Sequence, residues 1–150
     1  MPSVRAAQLP SGTSPQATGD ADTKAVLATI DALFAAFESG DAAAMLRQVY
    51  PDGRVTASSR RPDGTSSLRP QSWTQFAERV TPQRVFQERI SHPTVHVDDD
   101  IAVVWASFVV RVAGDVSNCG IDHFDLVRER GVWKVMNLTF SSRATGCSAR

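Results

Sequence analysis

Among the side chains of this sequence able to do chemistry, Asp122 has the most suggestive setting. In the run Val116–Glu129, alternation puts it on one face with Asn118, Phe124 and Leu126 and turns Cys119, Ile121 and His123 to the other. A carboxylate among apolar neighbours is desolvated, so its pKa rises and it becomes a general acid or base near neutral pH. A structural aspartate bonded to backbone, or to a Ser or Arg neighbour, fits the same pattern. Glu88 lies between Phe86 and Ile90 on one strand face, with Arg89 turned away. Asn137 and Thr139 alternate onto the face of Trp133 and Val135, where they can donate hydrogen bonds to a ligand carbonyl or simply face water near a strand end.

Other chemistries find no footing. His92, His96 and His123 are dispersed, and the four-residue spacing of the first two falls in a strand interrupted by Pro93, which does not assemble a tetrahedral set, so no metal site is expected. Asp98, Asp99 and Asp100 lack the spaced oxygens and closing Glu of a calcium loop and read as a solvated turn. There is no Gly-rich phosphate loop, no G-x-S-x-G elbow and no catalytic Cys–His signature. No cofactor is expected.

The elements that must hold these groups follow from hydrophobic spacing. Val26, Ile30, Leu33, Phe34 and Phe37 recur every three or four residues and predict a helix over 22–39, ended by Gly40. Asp41 caps a second helix from Ala42 to about Val49, stopped by Pro51-Asp52-Gly53. Residues 54–68 read as a hairpin turning at Pro62-Asp63-Gly64. Ser72 and Gln75 form the pattern of a capping box and open a third helix that buries Trp73, Phe76, Ala77 and Val80 and ends at Pro82. Then four runs rich in β-branched and aromatic residues, 85–97, 101–112, 116–129 and 132–142, predict a meander of long antiparallel strands, with Pro93 bending the first.

In the second of these runs Ile101, Val103, Trp105 and Val109 point one way, and Ala102, Val104, Ala106, Phe108 and Val110 the other, so both faces are apolar. About three helices cover one side of four long strands. The other side needs a partner, and a second copy of the chain is the economical one.

Composition sets the bounds. Residues 1–21 are rich in Ser, Thr, Pro, Gly and Ala, carry one basic residue and have no apolar core, so they read as a flexible tail and not as an intact signal peptide. The remaining 22–150 suit one domain. A hydrophobic fraction of 42% supports a packed core. No run approaches the roughly 18–20 apolar residues of a membrane span. Lys+Arg and Asp+Glu are both 16, with the basic residues scattered, so neither nucleic acid nor an anionic membrane is an expected partner. Nothing distinguishes a cytoplasmic from a periplasmic protein.

The order helix, helix, hairpin, helix, long-strand meander resembles the NTF2-like superfamily. The segments Phe37-Glu38-Ser39-Gly40-Asp41, Tyr50-Pro51-Asp52-Gly53, 97–105 (VDDDIAVVW), Cys119-Gly120-Ile121-Asp122-His123-Phe124 and Gly131-Val132-Trp133-Lys134-Val135 are similar to its lumazine-binding-type, SnoaL-like bacterial branch. The resemblance implies an α+β cone, with about three N-terminal helices packed on a strongly curved, mainly antiparallel sheet. It further implies a homodimer and a pocket between sheet and helices for a small apolar or aromatic molecule. Tyr50, Trp73, Glu88, Phe108, Asn118, Phe124, Asn137 and Thr139 are the candidate lining residues.

That fold hosts both binders and cofactor-independent isomerases, dehydratases and hydrolases, so it does not assign a reaction. In the enzymatic alternative Asp122 is the general acid or base. The tyrosines and histidines of dehydratase relatives are missing, since Tyr50 is the one tyrosine. An isomerase-like site, with one pocket carboxylate and two donors to an enolate oxygen, is the least excluded. Relatives also pair a Cys-Gly-x-Asp segment with a C-terminal Gly-Cys, which implies a disulfide between Cys119 and Cys147. From the residues alone, two reduced thiols fit equally.

Overall fold

The computed structural model describes residues 15–147. Helix α1 spans Pro15–Ser39 and starts ahead of the expected Asp22, so residues 15–21 of the predicted tail are helical; residues 1–14 lie outside the described residues. Proline is well suited to the first turn, because its fixed φ is helical and its missing N–H has no partner to lose there. Gly40 ends α1 with φ +69°, and a Cβ at that position would collide with the backbone of Thr81 and Pro82.

Asp41 caps α2 (Ala42–Arg47), its side chain accepting from Ala44 N at 2.9 Å. Val49, expected in that helix, instead forms a parallel bridge with Val135. Strands β1 (Arg54–Arg60) and β2 (Ser66–Ser72) make the hairpin. The predicted capping box is present: Gln75 N donates to Ser72 Oγ at 3.1 Å and Ser72 N to Gln75 Oε1 at 2.8 Å. It opens a shorter α3 (Trp73–Ala77). Strands β3 (Gln87–Asp98), β4 (Ile101–Val112), β5 (Asp115–Glu129) and β6 (Val132–Ser142) complete a six-stranded sheet of order β2-β1-β6-β5-β4-β3. All neighbours are antiparallel except β1, which runs parallel to β6, so the hairpin docks on the far end of the meander.

The tight turns are Ala113-Gly114 and Arg130-Gly131, with positive φ at both residues of each pair, the geometry that matches strand twist in a two-residue hairpin. The β3 bulge falls between Ser91 and Thr94, around Pro93 as expected, and His92 there has φ 51°.

Helix α1 lays Val26, Ile30, Leu33, Phe34 and Phe37 on the inner face of the sheet against Val104, Phe124, Leu126, Val135 and Leu138. Arg128 pins this helix at Asp22. Its guanidinium donates to Asp22 Oδ1 at 2.7 Å, Asp100 Oδ1 at 2.9 Å and the Asp99 carbonyl, and stacks over Trp133 at 4.7 Å. Asp99 and Asp100 lie in an exposed turn between β3 and β4, as expected, and Arg128 ties that turn and β5 to Asp22 of α1. Past β6 the chain folds back on β5: Arg143 bridges Cys119, and Cys119 is bonded to Cys147 with Cα atoms 5.7 Å apart.

Candidate functional site

Two acids are buried on the inner face. Glu88 on β3 retains 8% of its exposure and Asp122 on β5 retains 1%. Register starts them apart: Glu88 lies opposite Val110, which pairs with Asn118, whereas Asp122 lies opposite Ala106 and Phe140. Sheet twist and curl close the diagonal, and the two carboxyls hydrogen-bond to each other. Such a bond requires a proton on one of them. Burial pushes Asp122 up to about 7, while its bond to Glu88 pulls the other way. Glu88 is held well above the ordinary carboxylate range by burial, by the charge of Asp122 and by the shared bond. Glu88 therefore holds its proton the more firmly of the two, and Asp122 is the acid that titrates near neutral pH. Glu88 Oε2 and Asp122 Oδ2 are buried and receive no donor from the other described residues.

Beside this pair a cavity of about 700 Å³ opens between the Arg79–Phe86 segment and the β4–β5 turn. Its walls are Phe76, Val85, Phe86, Val110, Val112 and Phe140, with Glu88, Asn118 and Ser117 as polar points and Arg79, Gln83 and Arg84 toward solvent. The size suits a drug-sized molecule, for which pockets of roughly 300–1,000 Å³ are usual.

Of the predicted lining residues, Glu88 and Asn118 stand in this wall. Asp122 is buried and is not in the lining, so Glu88 is the acid of the pair that borders the cavity. Phe108 is buried edge-to-face on Phe140, with ring centroids 5.9 Å apart, and supports the wall from behind. Trp73 and Phe124 belong to the core, Trp73 donating its indole N–H to the Met136 carbonyl at 2.9 Å and Phe124 packing on Phe34. Tyr50 lies in a separate groove with Val127, Glu129, Arg130, Val132 and Lys134.

Asn137 and Thr139 require a correction. The β5–β6 register shifts between Asp125 and Leu126, which pair with Asn137 and Val135, so Met136 is an extra residue. The bulge reverses parity: Trp133, Val135 and Leu138 face inward, and Asn137 and Thr139 face outward. Asn137 accepts from Arg54 N and donates to Asp125 Oδ2, both at 2.9 Å, which ties β1, β5 and β6 together far from the cavity.

The sequence reading missed Arg79, Gln83 and Arg84. They lie past the end of α3, in a loop without periodicity, and only the approach of that loop to the β4–β5 turn makes them wall residues. Among the described residues no cluster of three or more His, Cys, Asp or Glu is arranged to hold a metal ion, and no helix is long and apolar enough to cross a membrane.

A family model described as "Putative lumazine-binding" matches residues 21–141. No curated protein matches the sequence. Among solved structures, a variant of a protein of unknown function from Mycobacterium tuberculosis superposes with TM-score 0.69 at 12% identity, covering 86% of this chain and 76% of that one. The beta subunit of a "putative aromatic-ring-hydroxylating dioxygenase" from Novosphingobium aromaticivorans gives 0.67 at 16% identity, covering 89% and 94%. An NTF2-like protein with a cystatin-like fold from the same organism gives 0.63 at 16% identity, covering 89% and 88%. At these identities the likeness is one of fold.

Proposed function

The chain belongs to the "Putative lumazine-binding" family of the NTF2-like superfamily, and on that premise we propose that it binds a small apolar or aromatic molecule in the cavity between sheet and helices. The observation that carries this reading is the cavity itself. About 700 Å³ walled by Phe76, Phe86, Val110 and Phe140, with Glu88 and Asn118 also in its lining, combines an apolar body site with a few polar points.

Native mass spectrometry, together with titration by N-phenyl-1-naphthylamine, an uncharged dye that brightens in apolar sites, tests it. The expected result is a saturable site that Val112→Trp, at the exposed rim, occludes. A wild-type protein with neither a co-purified small molecule nor saturable dye binding would overturn the reading.

A second reading is favoured by the carboxyl pair: cofactor-independent isomerisation, dehydration or hydrolysis by general acid–base catalysis. Two coupled acids beside an apolar cavity, one of them raised to about 7, form an arrangement that can both take up and return a proton near neutral pH. Asp122 then acts through Glu88, which borders the cavity.

A further inference from the structure

The cavity is polarised along its depth. Glu88 marks the buried end, whereas Arg79 and Arg84 are exposed at the other end, and both line the same space. The remaining walls bring no further charge: Phe76, Val85, Phe86, Val110, Val112, Ala113 and Phe140 are apolar, and Gln83, Ser117 and Asn118 are neutral. The two guanidiniums take no part in the ion pairs found among the described residues, in which Arg89 engages Glu38 and Arg128 engages Asp22 and Asp100. Nor is Glu88 a counter-ion for them. Its carboxyl is coupled to Asp122, and its Oε2 is buried with no donor from the other described residues.

Two unpaired cations at the lip of an apolar cleft attract an anion and repel a cation, and guanidinium forks fit the planar oxygen pairs of carboxylates and the oxygens of sulfonates or phosphates. Resting on the binding reading above and narrowing it, we infer that the ligand is a ring-bearing anion: its acidic group pairs with Arg79 and Arg84 at the rim, and its rings lie inward against Phe76, Phe86, Val110 and Phe140.

A matched pair of dyes tests this on the full chain: 8-anilinonaphthalene-1-sulfonate, and N-phenyl-1-naphthylamine, the same ring system without the sulfonate. Wild type is expected to bind the sulfonate about tenfold more tightly than the neutral dye, a preference worth about 1.4 kcal/mol. The double variant Arg79→Gln/Arg84→Gln is expected to lose that preference while binding the neutral dye as before. Val112→Trp is expected to weaken both dyes, which assigns the signal to this cavity and not to the exposed outer face of the sheet.

Raising NaCl from 20 to 500 mM on unmutated protein supplies an independent measurement: the sulfonate weakens and the neutral dye does not. Equal affinities in wild type, unmoved by salt or by the double variant but still lowered by Val112→Trp, would overturn the anion while leaving the apolar site standing. Failure of both dyes to bind saturably would overturn the binding reading as well.

Discussion

Asp122 and Glu88 are both raised because neither can leave the core and neither has a cation beside it, and this has a consequence for stability. A carboxyl whose folded pKa lies above its unfolded value binds more protons in the native state. Its effect on stability is therefore neutral at low pH and grows unfavourable as pH rises from the unfolded value toward the folded one. For Asp122 that window runs from its ordinary value of 3.8 to about 7. Glu88, raised further by burial and by its neighbour, extends the loss above it.

Asp122→Asn removes the buried charge and keeps the shape, so it is expected to raise Tm relative to wild type at pH 8 and to change it little at pH 4.5. On the scale of 1.36 kcal/mol per pKa unit, the difference is on the order of a few kcal/mol. Thermal unfolding at both pH values checks it. An equal loss at both would show that the carboxylate is needed for packing and not tolerated at a cost. The acids and their inward direction were legible in the sequence, because alternation within one unbroken strand is local. Their contact was not, since it crosses two strands on a diagonal that only the curl of the sheet closes.

At the scale of elements, the capping box at Ser72, the Asp41 cap, the Gly40 terminus and the bulge at Pro93 were all legible, each being set by residues within four positions of one another. The bulge at Met136 was not. It interrupts an apolar run with neither Gly nor Pro, and it arises where Val135 N and O bond to the chain entering from Gln48 and Tyr50. A contact from a distant segment thus decided the parity of Asn137 and Thr139.

Gly120 marks a second tight place on the same pair of strands. A Cβ there would drive into the Ser141 carbonyl and its hydroxyl, which itself accepts from Ile121 N at 2.9 Å. Gly120→Ala is therefore expected to destabilise by about 1–3 kcal/mol through overpacking of backbone that has no room to shift. Urea unfolding should show a lower midpoint at unchanged slope. An unchanged midpoint would mean that the β5–β6 edge relaxes freely.

At the scale of the whole molecule, the outer face of the sheet exposes Ile101 and Trp105, at 58% and 55%, with Val103, Val109 and Ile121 half-buried around them and Trp105 against His123. We propose that a second copy covers this face, since an apolar patch on long central strands is a recurrent mark of association. Light scattering at micromolar concentration is expected to return twice the 16.2 kDa chain mass, and Trp105→Glu to return the single value. A wild-type monomer would remove the proposal.

The Cys119–Cys147 bond closes the returning C-terminal segment over β5, at a sequence separation of 28. A loop of that size contributes about 3–4 kcal/mol in the chain-entropy model. Reductant should lower Tm correspondingly, and alkylation of unreduced, denatured protein should leave both cysteines unmodified. Two alkylated thiols in protein never exposed to reductant would contradict the bond.

What the sequence by itself determined was carried by neighbours along the chain: the presence of three helices, the caps at Asp41 and Ser72, six strands, the two apolar faces of β4, and the burial of Glu88 and Asp122 on the inner side. Side-chain period, capping chemistry and turn residues act over a few positions, and they can be read there without knowing the fold. What only the tertiary structure decided was which of these local pieces meet: the parallel docking of β1 on β6, the reversal of Asn137 and Thr139 at Met136, the joining of Glu88 to Asp122, and the placing of Arg79 and Arg84 at the mouth of the cavity. These depend on strand order, sheet curl and loop approach, which are set by packing the core as a whole and leave no signature in the spacing of the residues they bring together.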